Sequence, residues 1–582
     1  MNELFGIFRH FRKREWALIC VTVVLIVVQV YLDLEIPGYM AAVTDVLLED
    51  GSPDLVIDKA VAMMACAVAS LAVGIVLTAT LGVVASGYSK HIRELQFDKV
   101  QRFSMEEMGR FNTYSLITRS TNDVKQIQDF ISLSLMSLIK APIISVWALY
   151  RIAESNFAWT TVTSVAVICM LVLVLAVLRK TIPGFKRIQK LTDGINRVSS
   201  ELVEGIRFIR AYNAEEYENE RFREANDELT NNNLYVYHIM NYNVPFNGLI
   251  RNCLTLAIYW TGAYIIMGTD SLESGMELFS NMIVFATYAV MILNGFRTMT
   301  HMFNIMPRAS VSAHRINEVI DTEPSINDGD TEDSDEIGTV SFDDVSFRYP
   351  GAGSDAISGI TFDVKRGETV SIIGSTGCGK TSLVNLIPRF YDTTSGTVRV
   401  DGVDVRDFSL EGLRGRIGFV SQTNSILSGT VRDNVNYGYQ PGQRDDDDVW
   451  RALRIAKADL FVEDMGGLDS MLVEKGKNLS GGQKQRISIA RTVNREPEIY
   501  IFDDSFSALD FKTDRDLRRS LRNETDRATV IIVAQRIGTV MDSDRIVVLD
   551  NGTMVGLGTH DELMRSCPVY REIADSQLEG GA

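Results

Sequence analysis

The chain has 582 residues, which is too long for one compact domain and predicts at least two. Its formal net charge of −17 argues against broad nucleic-acid binding, because that function needs basic stripes to neutralise phosphates. The six cysteines form no C-x-x-C pair, which argues against a disulfide scaffold or a zinc ribbon.

Six apolar segments in the first half of the chain predict six transmembrane helices. They cover residues 17–32, 60–89, 130–150, 155–178, 252–269 and 278–296. A bilayer core requires about 20 apolar residues per helix, and the six segments reach or approach that length. The first segment is not interpreted as a signal peptide, because no small-residue cleavage site follows it.

Loop charges predict that both termini lie in the cytoplasm and that the protein resides in the cell membrane. Basic residues precede the first segment, residues 33–59 are mostly acidic and predicted to be external, and residues 90–129 are rich in Lys and Arg. The internal stretches 90–129 and 179–234 show helical periodicity. We expect them to extend the membrane helices by roughly 30–40 Å, with tips near residues 113–121 and 211–217.

An acidic stretch with Gly and Pro divides the chain. Residues 321–338 contain almost no large apolar side chains, which predicts a solvated linker. The interpretation is therefore a membrane domain over residues 1–320 and a second domain over residues 339–582.

The first motif of the second domain that predicts a chemical function is a glycine-rich loop. The buried-strand pattern TVSII precedes GSTGCGKT at residues 374–381, and a helical pattern follows it. This strand–loop–helix order fits the phosphate-binding pattern G-x-x-x-x-G-K-[ST]. The glycines allow backbone N–H groups to approach phosphate, and Lys380 is expected to reach the β- and γ-phosphates. The Thr381 hydroxyl is expected to ligate Mg²⁺.

A second buried strand ends in two carboxylates. The run IYIFDD at residues 499–504 places Asp503 where it would complete a Mg²⁺ site with the glycine-rich loop. The residue after this aspartate is expected to position the attacking water, and here it is Asp504.

A third motif lies between them and carries the resemblance to a family. The run LSGGQKQR at residues 479–486, with SALD at 507–510, resembles the ATP-binding cassette transporters, of which LSGGQ is a signature. The resemblance covers the whole chain. It implies an all-α six-helix transmembrane domain with long cytosolic extensions, followed by an α/β P-loop cassette domain, in the layout of an exporter-type half-transporter.

The resemblance extends the predicted site residues beyond the phosphate loop. Tyr349 resembles the aromatic residue that stacks on adenine, and Gln422 resembles the glutamine that ligates Mg²⁺. Ser480, Gly481, Gly482 and Gln483 would close over a nucleotide held by a second cassette, Asp510 would cross the dimer interface, and Glu474 and Gly476 would contact coupling helices. The predicted nucleotide-binding set is Tyr349, Gly374, Ser375, Thr376, Gly377, Cys378, Gly379, Lys380, Thr381, Ser382, Ser480, Gly481, Gly482 and Gln483, and the predicted Mg²⁺ ligands are Thr381, Gln422 and Asp503.

Two of the three predicted catalytic residues, Asp504, Gln535 and Gln422, depart from the family. Asp504 stands where the family has a catalytic Glu, and Gln535 stands where it has a histidine, which Gln cannot replace as a proton relay. Loss of general-base assistance typically reduces the rate by about 10²–10⁴. Because the signature is intact, the chain resembles the degenerate-site subunit of bacterial heterodimeric multidrug exporters. A sluggish homodimer is the alternative.

Substrate contacts are expected in the membrane helices. Charges within apolar spans often face the bundle interior, although those near span ends extend to the interface and Asn often joins helices. The candidates for a cavity that accepts hydrophobic or amphipathic compounds are Lys140, Arg251, Arg297, Asn243, Asn247, Asn252, Tyr288 and Asn294. An importer on the same fold, for instance for siderophores, and an ATP-sensing regulatory subunit remain alternative functions.

Overall fold

The computed structural model describes residues 6–48, 52–153, 157–269, 271–439, 443–524 and 528–578. They divide into two compact units. The first comprises Met1–Gln101 and Asn112–Glu323, and the second comprises Arg102–Phe111 and Pro324–Ala582. The second unit therefore includes a short segment from within the predicted membrane domain.

The first unit is helical throughout. Its helices are α1 (Lys13–Leu48), α2 (Pro53–Gln101), α4 (Thr113–Thr118), α5 (Val124–Ala153), α6 (Phe157–Glu204), α7 (Ile206–Ala211), α8 (Glu215–Met267) and α9 (Leu272–Asp321). Within the described part of the chain, six helices are long and apolar enough to cross a membrane, and each overlaps one predicted span. The prediction of six membrane helices is confirmed.

Close packing between the membrane helices depends on small and aromatic side chains. Trp159 of α6 is fully buried, and its indole Nε1 donates to the Ile258 carbonyl of α8 at 3.2 Å. A Cβ at Gly262 would lie 2.5 Å from the Met282 sulfur and 3.3 Å from the Trp159 ring, so a larger residue would require these side chains to shift. Small residues at helix contacts are the usual means of association where hydrophobic burial gives no advantage.

Two predicted loops differ from the structure. The external loop predicted over residues 33–59 is mostly helix, because α1 continues through Pro37 to Leu48 and α2 begins at Pro53. A proline inside a membrane helix is tolerated when neighbouring groups satisfy the freed carbonyl. The first interruption predicted to be cytosolic lies at 102–112, not at 113–121, where α4 and a π-helical turn lead into α5. The second lies at residues 212–214, as predicted near 211–217.

The second unit combines sheets with helices. Its strands are β1 (Val340–Phe347), β2 (Ile357–Val364), β3 (Thr369–Gly374), β4 (Ser395–Val400), β5 (Val403–Asp404), β6 (Ile417–Val420), β7 (Gly429–Thr430), β8 (Met471–Leu472), β9 (Ile499–Asp503), β10 (Thr529–Val533), β11 (Arg545–Asp550) and β12 (Thr553–Gly558). Its helices are α3 (Met105–Arg110), α10 (Lys380–Asn385), α11 (Leu410–Arg416), α12 (Val431–Val435), α13 (Asp446–Ile455), α14 (Asp459–Asp464), α15 (Gly481–Val493), α16 (Phe511–Glu524), α17 (Ile537–Val540), α18 (His560–Ser566) and α19 (Pro568–Leu578).

The main sheet positions the predicted motifs. Its strand order is β12-β11-β3-β10-β9-β6, and all pairs except β11–β12 are parallel. The carboxyl ends of β3, β9 and β10 therefore meet at one edge, which is where ligands bind in open α/β sheets. An antiparallel sheet of order β2-β1-β4-β5 accompanies it, with Phe342 and Phe362 stacked 4.7 Å apart.

The acidic side chains of the stretch after α9 are exposed, while its backbone from Pro324 onward forms hydrogen bonds within the second unit. The Thr331 N–H donates to the Asp407 carbonyl at 3.0 Å, and the Ser409 N–H donates to the Thr331 carbonyl at 2.8 Å. Asp333 forms an ion pair with Arg416. The composition of the stretch did not reveal these partners, because they lie about 80 residues away in the sequence.

Candidate functional site

The glycine-rich loop has a backbone shape that depends on its glycines. Gly377 and Gly379 adopt φ values of +85° and +98°, which favour glycine. A Cβ at Gly379 would lie 2.6 Å from the Ala356 carbonyl oxygen, and one at Gly374 would lie 2.1 Å from the Leu549 carbonyl oxygen. The loop is therefore a narrow cradle between β3 and α10 in which backbone N–H groups remain accessible to an anion.

Lys380 lies across this cradle. Its ammonium donates to the carbonyl oxygens of Gly374 and Ser375, both at 2.8 Å, and lies 3.7 Å from the Cys378 sulfur. Ser375 and Thr376 are exposed at the top of the loop, whereas Cys378 is buried. The side chain is thus held beside the backbone groups that would surround a phosphate.

A hydroxyl and a carboxylate meet beside the loop in the arrangement predicted for Mg²⁺. The Thr381 hydroxyl donates to Asp503 at 3.0 Å, and Asp503 is only 2% exposed. Burial raises the pKa of Asp503, as does the charge of Asp504, while the Thr381 hydrogen bond and the Lys380 ammonium lower it. The oxygen donors of Thr381 and Asp503 suit Mg²⁺, which prefers oxygen ligands and usually binds through one or two protein groups together with phosphates.

The three predicted catalytic residues form one cluster. Asp504 follows β9 in a left-handed conformation (φ +48°), and its N–H donates to the Val533 carbonyl at 3.0 Å. Its Oδ2 accepts the Gln535 amide at 3.1 Å and the Gln422 amide at 3.4 Å. Gln422 was predicted to ligate Mg²⁺, but here its amide nitrogen contacts Asp504.

The predicted adenine-stacking tyrosine lies at the other side of the loop. The Tyr349 hydroxyl hydrogen-bonds with Ser382 at 2.9 Å, and its ring makes edge contacts with Phe347 and Tyr391. Tyr391 was missed by the sequence analysis, because nothing in the local pattern RFYDTT indicates that it meets a residue 42 positions earlier.

Sequence comparisons assign both halves of the chain. Residues 19–295 match the ABC transporter transmembrane region, and residues 357–507 match the ABC transporter domain. An uncharacterised ABC transporter ATP-binding protein of Mycobacterium tuberculosis is 39% identical over 496 residues, 84% of each chain. An uncharacterised ABC transporter ATP-binding protein of Bacillus subtilis is 34% identical over 517 residues, 89% of this chain and 88% of the relative. This chain belongs to the ABC transporter family.

The fold agrees with this assignment. The structure of a bacterial Atm1-family ABC exporter with ATP bound matches 98% of this chain and 99% of its own, with a TM-score of 0.81 and 22% identity. The chain is an exporter-type ABC half-transporter, a multi-pass membrane protein whose cassette belongs to a family of ATPases. The exporter fold typically works as a dimer.

The ABC signature residues start a helix. Ser480 caps α15: its hydroxyl accepts the Gln483 N–H at 3.3 Å, and its own N–H donates to the Gln483 side chain at 2.8 Å. A Cβ at Gly481 would meet open space, whereas one at Gly482 would lie 3.3 Å from the Ala508 carbonyl oxygen. The reciprocal capping bonds fix the geometry of this helix start.

The remaining predicted cassette residues lie in short loops. Asp510 accepts the Thr513 N–H at 2.9 Å, which lowers the pKa of its carboxyl group. Glu474 is exposed in a short 3₁₀ turn, and Gly476 in the same turn is buried against Ile426 with φ +58°.

The candidate membrane residues of this ABC half-transporter do not all come together. Lys140 and Asn294 line one cavity of about 400 Å³, in which Lys140 pairs with Asp33 at 3.1 Å. Ser70 donates to the same aspartate at 2.5 Å. Asp33 was missed because it had been placed in an external loop.

The other candidates have different surroundings. The Tyr288 hydroxyl is buried and donates to the Leu34 carbonyl at 2.8 Å, and the Asn247 amide donates to the Asn243 carbonyl at 2.7 Å. Both bonds join or brace helices. Arg251 and Asn252 are exposed, and the side chain of Arg297 lies outside the described residues.

Proposed function

We propose that this chain is one half of a heterodimeric exporter of hydrophobic or amphipathic compounds in the cell membrane, with both termini in the cytoplasm. In this proposal its own nucleotide site binds ATP with Mg²⁺ and hydrolyses it slowly. The observation that carries the proposal is the cluster in which Gln422 and Gln535 both donate to Asp504.

Different residues around the glycine-rich loop bind the different parts of MgATP. Lys380 and the loop backbone bind the phosphates, Thr381 and Asp503 hold Mg²⁺, and Tyr349 contacts the adenine. Mg²⁺ supplies neutralisation of the charge on the phosphate oxygens. Burial makes an ionised carboxylate at Asp503 costly and therefore raises its pKa, and a divalent cation offsets that cost.

Slow hydrolysis follows from the chemistry of the cluster. The Asp504 carboxylate is one methylene shorter than glutamate, which withdraws it by roughly 1.5 Å from the position of an attacking water. Two amide donors also occupy its Oδ2. Gln535 can donate a hydrogen bond to phosphate but cannot relay a proton.

The intact signature supports a heterodimer. Residues Ser480–Gln483 act on the nucleotide of the opposite cassette, whereas Asp504 and Gln535 act on the chain's own nucleotide. A partner with a competent catalytic pair would therefore use the signature of this chain fully. In a homodimer both nucleotides would face the weakened pair.

The membrane cavity supports an amphipathic substrate. Its lining combines the Asp33–Lys140 ion pair with Met136, Met291 and Asn294. Ionisable groups inside a membrane are costly and usually serve a pathway or a ligand. Flexible methionine side chains adapt to apolar groups of different shapes.

The test is the ATPase activity of the purified chain alone and after co-expression with a candidate partner half-transporter, in lipid nanodiscs. We expect low activity alone, and drug-stimulated activity with the partner. Lys380→Ala serves as the control that removes nucleotide binding by this chain. Equal activity alone and with every partner would refute the heterodimer, and accumulation of a fluorescent drug in inside-out vesicles distinguishes export from import.

A further inference from the structure

The last helix of the chain is fastened to the cassette by one face. Tyr570 of α19 is fully buried and hydrogen-bonds with His560 at 2.7 Å, and Ala574 is also fully buried. Gln577 follows at the same spacing of three to four residues, so it lies on the same face of the helix. The helix is therefore fixed before it reaches Gln577.

Gln577 binds the loop that carries Gln535. Its Oε1 accepts the Ile537 N–H at 2.8 Å, and its Nε2 donates to the Gln535 carbonyl at 2.8 Å. An amide provides both a donor and an acceptor, so one side chain satisfies the two backbone groups on either side of Arg536. Arg536 in turn donates to the Ser507 carbonyl at 3.2 Å.

These bonds connect the last helix with the nucleotide site in two steps. Gln577 holds the backbone of Gln535, and the side chain of Gln535 donates to Asp504. Gln577 itself is exposed, so its side chain adds little to the buried surface that holds the helix in place. Because both polar groups of Gln577 form hydrogen bonds with one loop, the side chain is suited to orienting that loop.

We infer that Gln577 is a positioning residue for Gln535, and that the C-terminal helix thereby sets how well this site distinguishes ATP from ADP. The inference rests on the proposed role of Gln535 beside the γ-phosphate. With the loop fixed, the Gln535 amide is held where it contacts the γ-phosphate, a group that ATP has and ADP lacks. Without the two bonds, the loop is free to turn and that selective contact weakens.

The experiment measures the affinities of ATP and ADP, with Mg²⁺, by displacement of a fluorescent nucleotide from the full chain in nanodiscs. Gln577→Leu preserves the size of the side chain and removes both bonds. We expect it to reduce the preference for ATP over ADP by about threefold to tenfold, the usual effect of one hydrogen bond. Ser576→Ala, which alters the neighbouring exposed position, is the matched control and should leave the preference unchanged.

A double-mutant cycle separates positioning from general stability. In a Gln535→Ala background, Gln577→Leu should change the preference no further, because its effect passes through Gln535. Equal weakening of ATP and ADP by Gln577→Leu, or an undiminished preference for ATP, would overturn the inference. If Gln535→Ala itself leaves the preference intact, then the proposed role of Gln535 is wrong and the inference fails with it.

Discussion

Replacing Asp504 with Glu and Gln535 with His should restore fast hydrolysis at this chain's own site. In the structure the Asp504 carboxylate accepts two amides at 3.1 and 3.4 Å. Glutamate adds one methylene, or roughly 1.5 Å of reach, and histidine removes one amide and adds a group that titrates near neutral pH. Both changes favour a general base directed at the attacking water.

The size of the effect follows from general-base catalysis. Recovering that assistance is worth about 10²–10⁴ in rate, which corresponds to about 2.7–5.4 kcal/mol of barrier. We expect the double variant to cleave ATP at least about 10²-fold faster than the natural chain in single-turnover assays with γ-labelled ATP and excess protein. Asp504→Glu alone should recover part of this gain.

Two controls define the result that would refute this reasoning. Lys380→Ala in the same background should abolish the gain, and Asp542→Glu, which adds a methylene at an exposed position, should have no effect. If the natural chain already cleaves ATP as fast as the double variant, then Asp504 is a competent base and the site is not a slow one.

Two further predictions concern charge in each unit. Burial raises the pKa of Asp503, so above the ordinary titration range of an aspartate its ionised form opposes folding. Without Mg²⁺, Asp503→Asn should therefore raise the apparent Tm at pH 7 by about 2 °C or more. This gain should disappear as the pH falls through the raised pKa of Asp503, because the natural carboxyl group is then neutral too. A thermal scan across pH in which the variant melts lower at pH 7 would contradict this. In the membrane unit, Lys140→Met should leave Asp33 unpaired and cost up to about 3 kcal/mol, whereas the double variant with Asp33→Asn should regain most of that loss; additive losses in a thermal-stability cycle would argue against the ion pair.

Local patterns made much of the architecture predictable. The six membrane spans were predictable from the length of the apolar runs. The phosphate loop was predictable from its glycines, because its backbone shape requires glycine at these positions. The interruption at residues 102–112 also had a local signal, because Ser104 and Glu107 form a capping box that starts α3. That signal was missed because helical periodicity continued on both sides of it.

Contacts between distant segments were not predictable from one sequence. Asp33 ends an apolar run and was interpreted as the start of a loop, yet its charge is compensated by Lys140 more than 100 residues later. The acidic side chains of the stretch after α9 are exposed, but no sequence pattern indicated that Asp333 pairs with Arg416, which also contacts the fully buried side chain of Asp401 at 3.3 Å. Asp33 and Asp401 are stable where they lie because the fold brings Lys140 and Arg416, respectively, beside them.

The same reasoning explains why the two weakened positions belong together. A carboxylate beside bound phosphates needs a donor on its free oxygen, and the structure supplies that donor from Gln535 and Gln422. Gln535 provides one of these donors at 3.1 Å, and unlike histidine it has no group that titrates near neutral pH. The two positions are therefore joined by one hydrogen bond, and in the proposed function both reduce hydrolysis. In the proposed function a slow site requires that the second nucleotide of the dimer drives turnover, and this requirement is the argument for a partner that differs from this chain.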